Sequence, residues 1–324
     1  RYELPKHVPL LLLIGALLVL YHRLLLGEVF VWGLPTLQFY PWRLLAVDLL
    51  QSGQLPLWNS YNGAGAPLFA NYQSMLLYPL SWPSLILPTA SMLSLMTVVH
   101  LAIGGWGMWR FSQRLGYSTL GSGLSTVAFG LTSYLVGRLG TFPMVAAGVW
   151  LPWLCWAAYG VVTERRRLDS AWLALFTALL LLAGHAQTAW YSLLLTGLYA
   201  LWLAARQRQL RLSVIGGLAA GVLIGAMAAG VQLAATAELL FVSQRSGGVE
   251  REFALNFSYA PVRAANLIAP DFFGNPGDGT FITKGAFFED AVYIGLIPLV
   301  SAFAAAFAWL RRRRDLDRPA YFMG

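Results

Sequence analysis

Blocks of about twenty apolar residues recur along this 324-residue chain, and no other feature of it constrains the fold as tightly. A helix needs about 20 residues to cross a hydrocarbon core of about 30 Å, and backbone groups in such a core must be satisfied within the segment itself. Eight blocks can be drawn, at residues 8–26, 90–109, 119–137, 142–162, 169–184, 188–205, 212–233 and 291–310. They predict an all-α, polytopic transmembrane bundle of about eight spans, with the short fifth block forming a tilted half-hairpin with the sixth. Only 11% of the residues are charged, against roughly 25% in a soluble domain. Soluble enzymes, disorder, collagen and coiled coil are thereby excluded. The first block resembles a signal peptide with Lys6 ahead of a leucine-rich core, but LGEV follows in place of a small-x-small cleavage site, so it reads as a retained anchor. The single cysteine, Cys155, lies in an apolar run and rules out an intrachain disulfide or a CxxC site.

Positive charge orients such a bundle, because Lys and Arg stay in short cytoplasmic loops. With the N-terminus inside, fifteen of the 22 Lys and Arg fall in inner segments, among them Arg165 to Arg167 and Arg311 to Arg314. The net +8 then divides into +10 inside and −2 outside. This is a topology signal and leaves no place for nucleic acid as a partner. The expected location is a bacterial inner (cytoplasmic) membrane, multi-pass with both termini cytoplasmic and the lipid bilayer as solvent. The chain reads as a single transmembrane domain over 1–324. Its start without Met and its end in RRRRDLDRPAYFMG suggest a fragment of a longer protein.

Two long segments, 27–89 and 234–290, are left at the extracytoplasmic face, where function is expected. The first carries only Glu28, Arg43 and Asp48 as charges but is dense in Trp, Tyr, Pro, Gly and Asn, the composition of a membrane-water boundary. It should hold interfacial helices, one at 41–52 with Arg43 and Asp48 as a pair on its polar face, and an apolar piece at 73–87 broken by Pro79 and Pro83. Within it, PLWNSYNGAGAPLFANYQS (56–74) gathers Trp58, Asn59, Asn62, Asn71 and Gln73. Such side chains stack on and hydrogen-bond to a polar ring such as a sugar, and equally cap the turns of an interfacial loop.

The stretch LQFYPWRLLAVDLLQSGQLPLWNSYNGAGAPLFANYQSMLLYPL (37–80) resembles the signature of the YfhO-type bacterial membrane proteins, with QFYPW, GxLPLWN, GxPLxANxQ and YPL in order. The likeness continues through WLPW (150–153), GHAQTAWY (184–191), LIAPDFFG (267–274) and EDAVYIGLIPL (289–299). That family is placed with the GT-C glycosyltransferases. The resemblance implies inverting transfer of a sugar from a polyprenyl-phosphate donor to a cell-envelope acceptor, with a first-loop carboxylate as base and cations holding the phosphate that leaves. Relatives usually carry an aspartate just before the QFYPW-like block. Here GLPTLQ (33–38) has none, and the nearest acids are Glu28 and Asp48.

Those two are the candidate catalytic residues, set against a plain interfacial role. Candidates for binding substrate are Gln38 and Arg43 beside the QFYPW block, the five residues of 56–74, and the outward cations and polar groups Arg138, His185, Gln187 and Arg263. Arg138 and His185 with Gln187 stand in tight turns between blocks, where polar groups are costly unless partnered. Asp271 and Glu289 close the second segment. Glu289 with Asp290 should cap the last span, or else bind an acceptor or part of the oxygen shell of a divalent cation, although no motif demands a metal. His100 inside the second block reads as an interhelix hydrogen bond, and Gly217, Gly221 and Gly225 as helix packing. No nucleotide, dinucleotide or hydrolase motif is present. Two rivals stand beside the transferase: a lipid or polymer transporter or flippase, for which repeats are lacking, and a non-catalytic assembly protein, favoured by the missing aspartate.

Overall fold

A computed structural model describes residues 5, 7–31, 33–244, 246–248, 250–251, 255, 258–282 and 287–311, apart from the side chains of Phe288 and Trp309. The described chain is mostly helical. In order come α1 (Val8–Leu20), α2 (His22–Leu25), α3 (Tyr40–Gln51), α4 (Thr89–Arg114), α5 (Thr119–Gly130), α6 (Ser133–Val136), α7 (Phe142–Gly148), α8 (Leu151–Tyr159), α9 (Arg167–Leu182), α10 (Ala186–Arg206), α11 (Leu212–Ala228), α12 (Gly230–Phe241) and α13 (Leu296–Arg311). A two-residue antiparallel ribbon, Trp58–Asn59 against Ala66–Pro67, interrupts the helical pattern.

Among the described residues, three helical stretches are long and apolar enough to cross a membrane: Thr89–Arg114, Phe142–Glu164 and Ala186–Arg206. A fourth is reached if α11 and α12, bent by 71° at their junction, count as one. The eight blocks thus map onto helices, but not onto eight unbroken spans. The 119–137 block breaks after Gly130, because the Ser133 amide is given to the carbonyl of Tyr293 at 3.0 Å and not to the preceding turn. The 8–26 block ends its first helix at Leu20, and the 212–233 block turns away at Gly230. Arg1, Lys6, Arg245, Lys284 and residues 312–324, used for charge orientation and for the expected continuation, lie outside the described residues.

The core runs along α8, which is clasped by α4, α9 and α10. Trp150, Trp153 and Trp156 project from it onto Phe176 of α9, with ring centroids 5.1 to 6.4 Å apart. Close helix approach comes from absent side chains. Leu13 of α1, fully buried, lies where a Cβ on Gly105 would overlap it, and it also abuts Gly130. Gly221 and Gly225 meet Leu173 and Thr177 in the same way, so the glycine row of α11 is a packing face against α9.

One end of the bundle is tied by charge. Arg114, at the close of α4, forks onto Asp169 of α9 at 2.8 and 2.9 Å, reaches Glu164 at 2.8 Å, and donates to the Trp156 carbonyl while its guanidinium lies 4.4 Å from that indole. Three chain segments are fastened by one cation, a bidentate geometry only Arg supplies. The opposite end carries the 27–89 segment, the 131–141 turn, the α9–α10 turn and residues 287–293.

Candidate polar site at the loop-bearing end

The 27–89 segment is anchored from below. Tyr78, fully buried, offers its hydroxyl to His100 Nε2 at 2.7 Å and accepts from Trp150 Nε1 at 3.1 Å, while His100 Nδ1 faces the Met96 carbonyl at 2.5 Å. His100 is therefore the hydrogen bond expected of it, made to the segment rather than to a neighbouring long helix. Arg43 is buried and donates to the carbonyls of Ser74 at 2.8 Å and Met75 at 3.2 Å. Burial lowers its guanidinium to about 10. The expected Arg43–Asp48 pair is not formed. Residues five apart lie on different faces of a helix, so Arg43 turns inward and Asp48 stays exposed.

From the other side α12 holds the segment. Gln232 Nε2 donates to the Phe69 carbonyl at 3.0 Å and Thr236 Oγ1 to the Ala70 carbonyl at 3.0 Å. These bonds sit on the helix that the 71° bend delivers, and they fix the residues just before Asn71. Asn71 then caps the turn Tyr72–Ser74 by accepting from the Gln73 amide at 3.1 Å. Tyr72 donates to the Leu181 carbonyl, and burial pushes its phenol up to about 12. Gly184, at φ +82°, has no room for a side chain, since a Cβ would come 2.7 Å from the Tyr72 carbonyl.

Five of the residues singled out from the sequence come together here. Gln38 Nε2 donates to Gln73 Oε1 at 3.1 Å, and the Gln73 backbone packs on Gly184. The next residue, His185, caps α10 by accepting from the Thr188 amide at 3.2 Å. Thr188 Oγ1 lies 3.2 Å from the Tyr134 hydroxyl, and the Arg138 guanidinium stands 4.3 Å above the Tyr134 ring. Arg138 reaches Glu289 at 3.5 Å. Gln38, Gln73, His185, Arg138 and Glu289 thus form a chain of contacts along this end of the bundle, with Tyr134 and Thr188 as the links. Burial lowers the imidazole pKa of His185, and the Arg138 charge lowers it further, which keeps the ring a neutral acceptor.

Arg138 is the least satisfied member. It is 4% exposed, its Nη1 reaches the Tyr134 carbonyl only at 3.3 Å, and its buried Nε has no hydrogen-bond partner among the described residues. Buried donors are nearly always paired, which makes this Nε an exception on a charged group.

The remaining candidates stand elsewhere. Glu28 pairs with Arg23 at 2.7 Å, both largely exposed. Trp58 is 54% exposed on the ribbon, Asn59 accepts the Tyr61 amide within its own turn, and Asn62 lies exposed at the tip. Gln187 is exposed and donates to Tyr191. Asp271 is exposed and accepts from Asn275 at 3.2 Å. Arg263 holds Asp290 at 2.8 Å. The expected capping of the last helix by Glu289 and Asp290 does not occur: α13 starts at Leu296, after Gly295 at φ +100°, and both acids go to arginines instead. Among the described residues no three His, Cys, Asp or Glu side chains stand together as a metal would require.

Tyr134, Thr188, Gln232 and Thr236 were not singled out from the sequence. Tyr134 precedes Arg138 by four residues, one helical turn, which was the available signal. Gln232 and Thr236 share that spacing on α12.

Apolar hollows adjoin this end. One, of about 180 Å³, is lined by Val29, Phe30, Pro35, Tyr40, Leu93 and Phe142 among others. Another, of about 160 Å³, lies between α1 and α4 and is lined by Leu17, Tyr21, Leu24, Leu95, Val98 and Val99 among others. Compared with family models, with curated proteins and with solved structures, the chain finds no match.

Proposed function

We propose that this chain is a multi-pass protein of the bacterial cytoplasmic membrane that transfers a sugar from a polyprenyl-phosphate donor to a cell-envelope acceptor at the extracytoplasmic face. The observation that carries the reading is Arg138: a buried guanidinium whose Nε has no partner among the described residues, close enough to His185 to lower its pKa and linked through His185 to the amides of Gln38 and Gln73. A phosphate offers a guanidinium several strong acceptors, and amides and a neutral imidazole suit sugar hydroxyls. The apolar hollows on the same end give a prenyl chain surface to lie against. The 37–80 likeness to the YfhO-type proteins and the long apolar helices support the same reading.

In such a transfer a carboxylate takes the acceptor hydroxyl proton, the oxygen bonds to the anomeric carbon, and the bond from that carbon to the phosphate oxygen breaks. The phosphate leaves with the electron pair and stays on Arg138. Glu28 and Asp48 are the acids the resemblance offers as base. Their present positions, one paired with Arg23 and the other open to solvent, favour a second reading. In it the chain binds the lipid-linked sugar as a non-catalytic assembly protein.

The experiment is incubation of the purified protein with polyprenyl-phosphate hexoses and several envelope acceptors. Transfer that is lost in Arg138→Gln supports the enzyme. Binding without transfer, in protein shown to be folded, supports the assembly role, and neither binding nor transfer removes both.

A further inference from the structure

We infer that the Glu289 side chain is a resident competitor for the anion site at Arg138, a latch which a phosphate-bearing lipid must displace while residues 287–293 stay in place. The inference rests on the proposed reading of Arg138 as the phosphate-holding cation.

The two adjacent carboxylates of the turn Phe287–Asp290 have different surroundings. Asp290 is 2% exposed and is held by Arg263 at 2.8 Å, while Asn266 Nδ2 donates to its backbone carbonyl at 3.4 Å. Three residues on, the Tyr293 carbonyl accepts from the Ser133 amide at 3.0 Å. These contacts fix the segment against the 131–141 turn without any help from Glu289. The Glu289 side chain is 40% exposed, and it reaches the 5% exposed side chain of Arg138 only at 3.5 Å. A charge-assisted N–H···O⁻ bond is about 2.7–2.9 Å long when well formed. Glu289 therefore neutralises the buried cation loosely, from its solvent side, and Nε stays without a partner among the described residues.

A phosphate group would do what this carboxylate does not. It offers more acceptor oxygens, as a monoester it also carries more charge, and it can meet two donors of the guanidinium fork at once. It would also repel Glu289 from the same place. Because the carboxylate is half-open to solvent and its backbone is pinned by its neighbours, it can leave without unfolding the turn. The resting protein then has a closed site whose apparent affinity is reduced by the fraction of time Glu289 occupies it.

The test is equilibrium binding of radiolabelled polyprenyl monophosphate to the full chain in nanodiscs, with uncharged polyprenol and inorganic phosphate as separate probes. Glu289→Gln should bind the lipid phosphate about fivefold more tightly than the unaltered protein, the size expected for removing a partly exposed competing charge. Arg138→Gln should lose that binding in either background, and Arg138→Lys should keep part of it, with size-exclusion profiles showing that the variants are folded. Unchanged affinity in Glu289→Gln, with binding still dependent on Arg138, overturns the latch but leaves the phosphate reading. Weaker binding in Glu289→Gln makes Glu289 a ligand contact and also overturns it. Full binding by Arg138→Gln removes both readings. If inorganic phosphate binds as tightly as the lipid, the occupant is free phosphate and the lipid assignment fails.

Discussion

The hydroxyl of Tyr78 lies 2.7 Å from Nε2 of His100, joining the long irregular segment 27–89 to the middle of helix α4. Trp150 completes the relay by donating to the same oxygen at 3.1 Å. The hydroxyl thus serves two buried partners. Tyr78→Phe leaves an indole N–H and an imidazole nitrogen unsatisfied, and a buried group so stranded costs about 1–3 kcal/mol. Unfolding of the variant in detergent, followed by tryptophan fluorescence, should show a loss of that order. A variant as stable as the parent would discount the relay as an anchor.

At the far end of the bundle, Asp169→Asn removes the charge that balances buried Arg114. The side chains of both are less than a tenth exposed, and breaking such a pair on one side costs about 3–5 kcal/mol. Glu164→Gln should cost much less, because Glu164 is 28% exposed and solvent screens its bond. Comparing the two melting temperatures checks the order; equal losses would mean that the fork onto Asp169 has no special weight.

Acid should weaken the packing of the α9–α10 turn through His185. Its folded-state pKa is lowered from 6.5 by burial first and by Arg138 second, so the unfolded chain binds the proton more readily. The neutral ring then contributes stability that is full above about pH 6.5 and is lost as pH falls through the lowered folded value. Melting temperature against pH should fall less steeply on acidification in His185→Gln than in the parent. In Arg138→Gln the acid-dependent loss should be smaller than in the parent, because one cause of the lowered pKa is gone. Identical pH profiles in all three proteins would contradict the assignment.

Gly184→Ala should destabilise the chain by about 1–3 kcal/mol. Its φ of +82° disfavours any Cβ, and the added methyl would press on the Tyr72 carbonyl at 2.7 Å. Gly15→Ala, on an open helix surface with nothing within 4 Å, is the control and should be neutral or slightly stabilising. Denaturant unfolding of the pair reads the difference directly.

Glu28→Gln and Asp48→Asn should leave binding of polyprenyl monophosphate unchanged, because neither side chain contacts Arg138, His185, Gln38 or Gln73 among the described residues. Loss of binding in either variant would place that carboxylate at the site.

Helix content and the helical blocks were legible in the chain because length and apolarity are local properties, written in twenty consecutive residues. Breaks were not. The end of α5 depends on Ser133 giving its amide to Tyr293, and the bend before α12 serves bonds from Gln232 and Thr236 to Phe69 and Ala70, partners more than 160 residues away. Pairings of charge are not legible for the same reason. Arg43 and Asp48 are close in sequence but on different faces of α3, and Glu289 and Asp290 were drawn to arginines supplied by two other segments.

By itself, then, the sequence determined that the chain forms apolar helices and which residues could bear charge at their ends. Only the tertiary structure decided that Gln38, Gln73, His185, Arg138 and Glu289 fall along one chain of contacts while Glu28 and Asp48 stand apart. Hydrophobic periodicity sets what a segment must bury, whereas the partner of a polar group is chosen by whichever distant donor or acceptor the packed helices bring within about 3 Å.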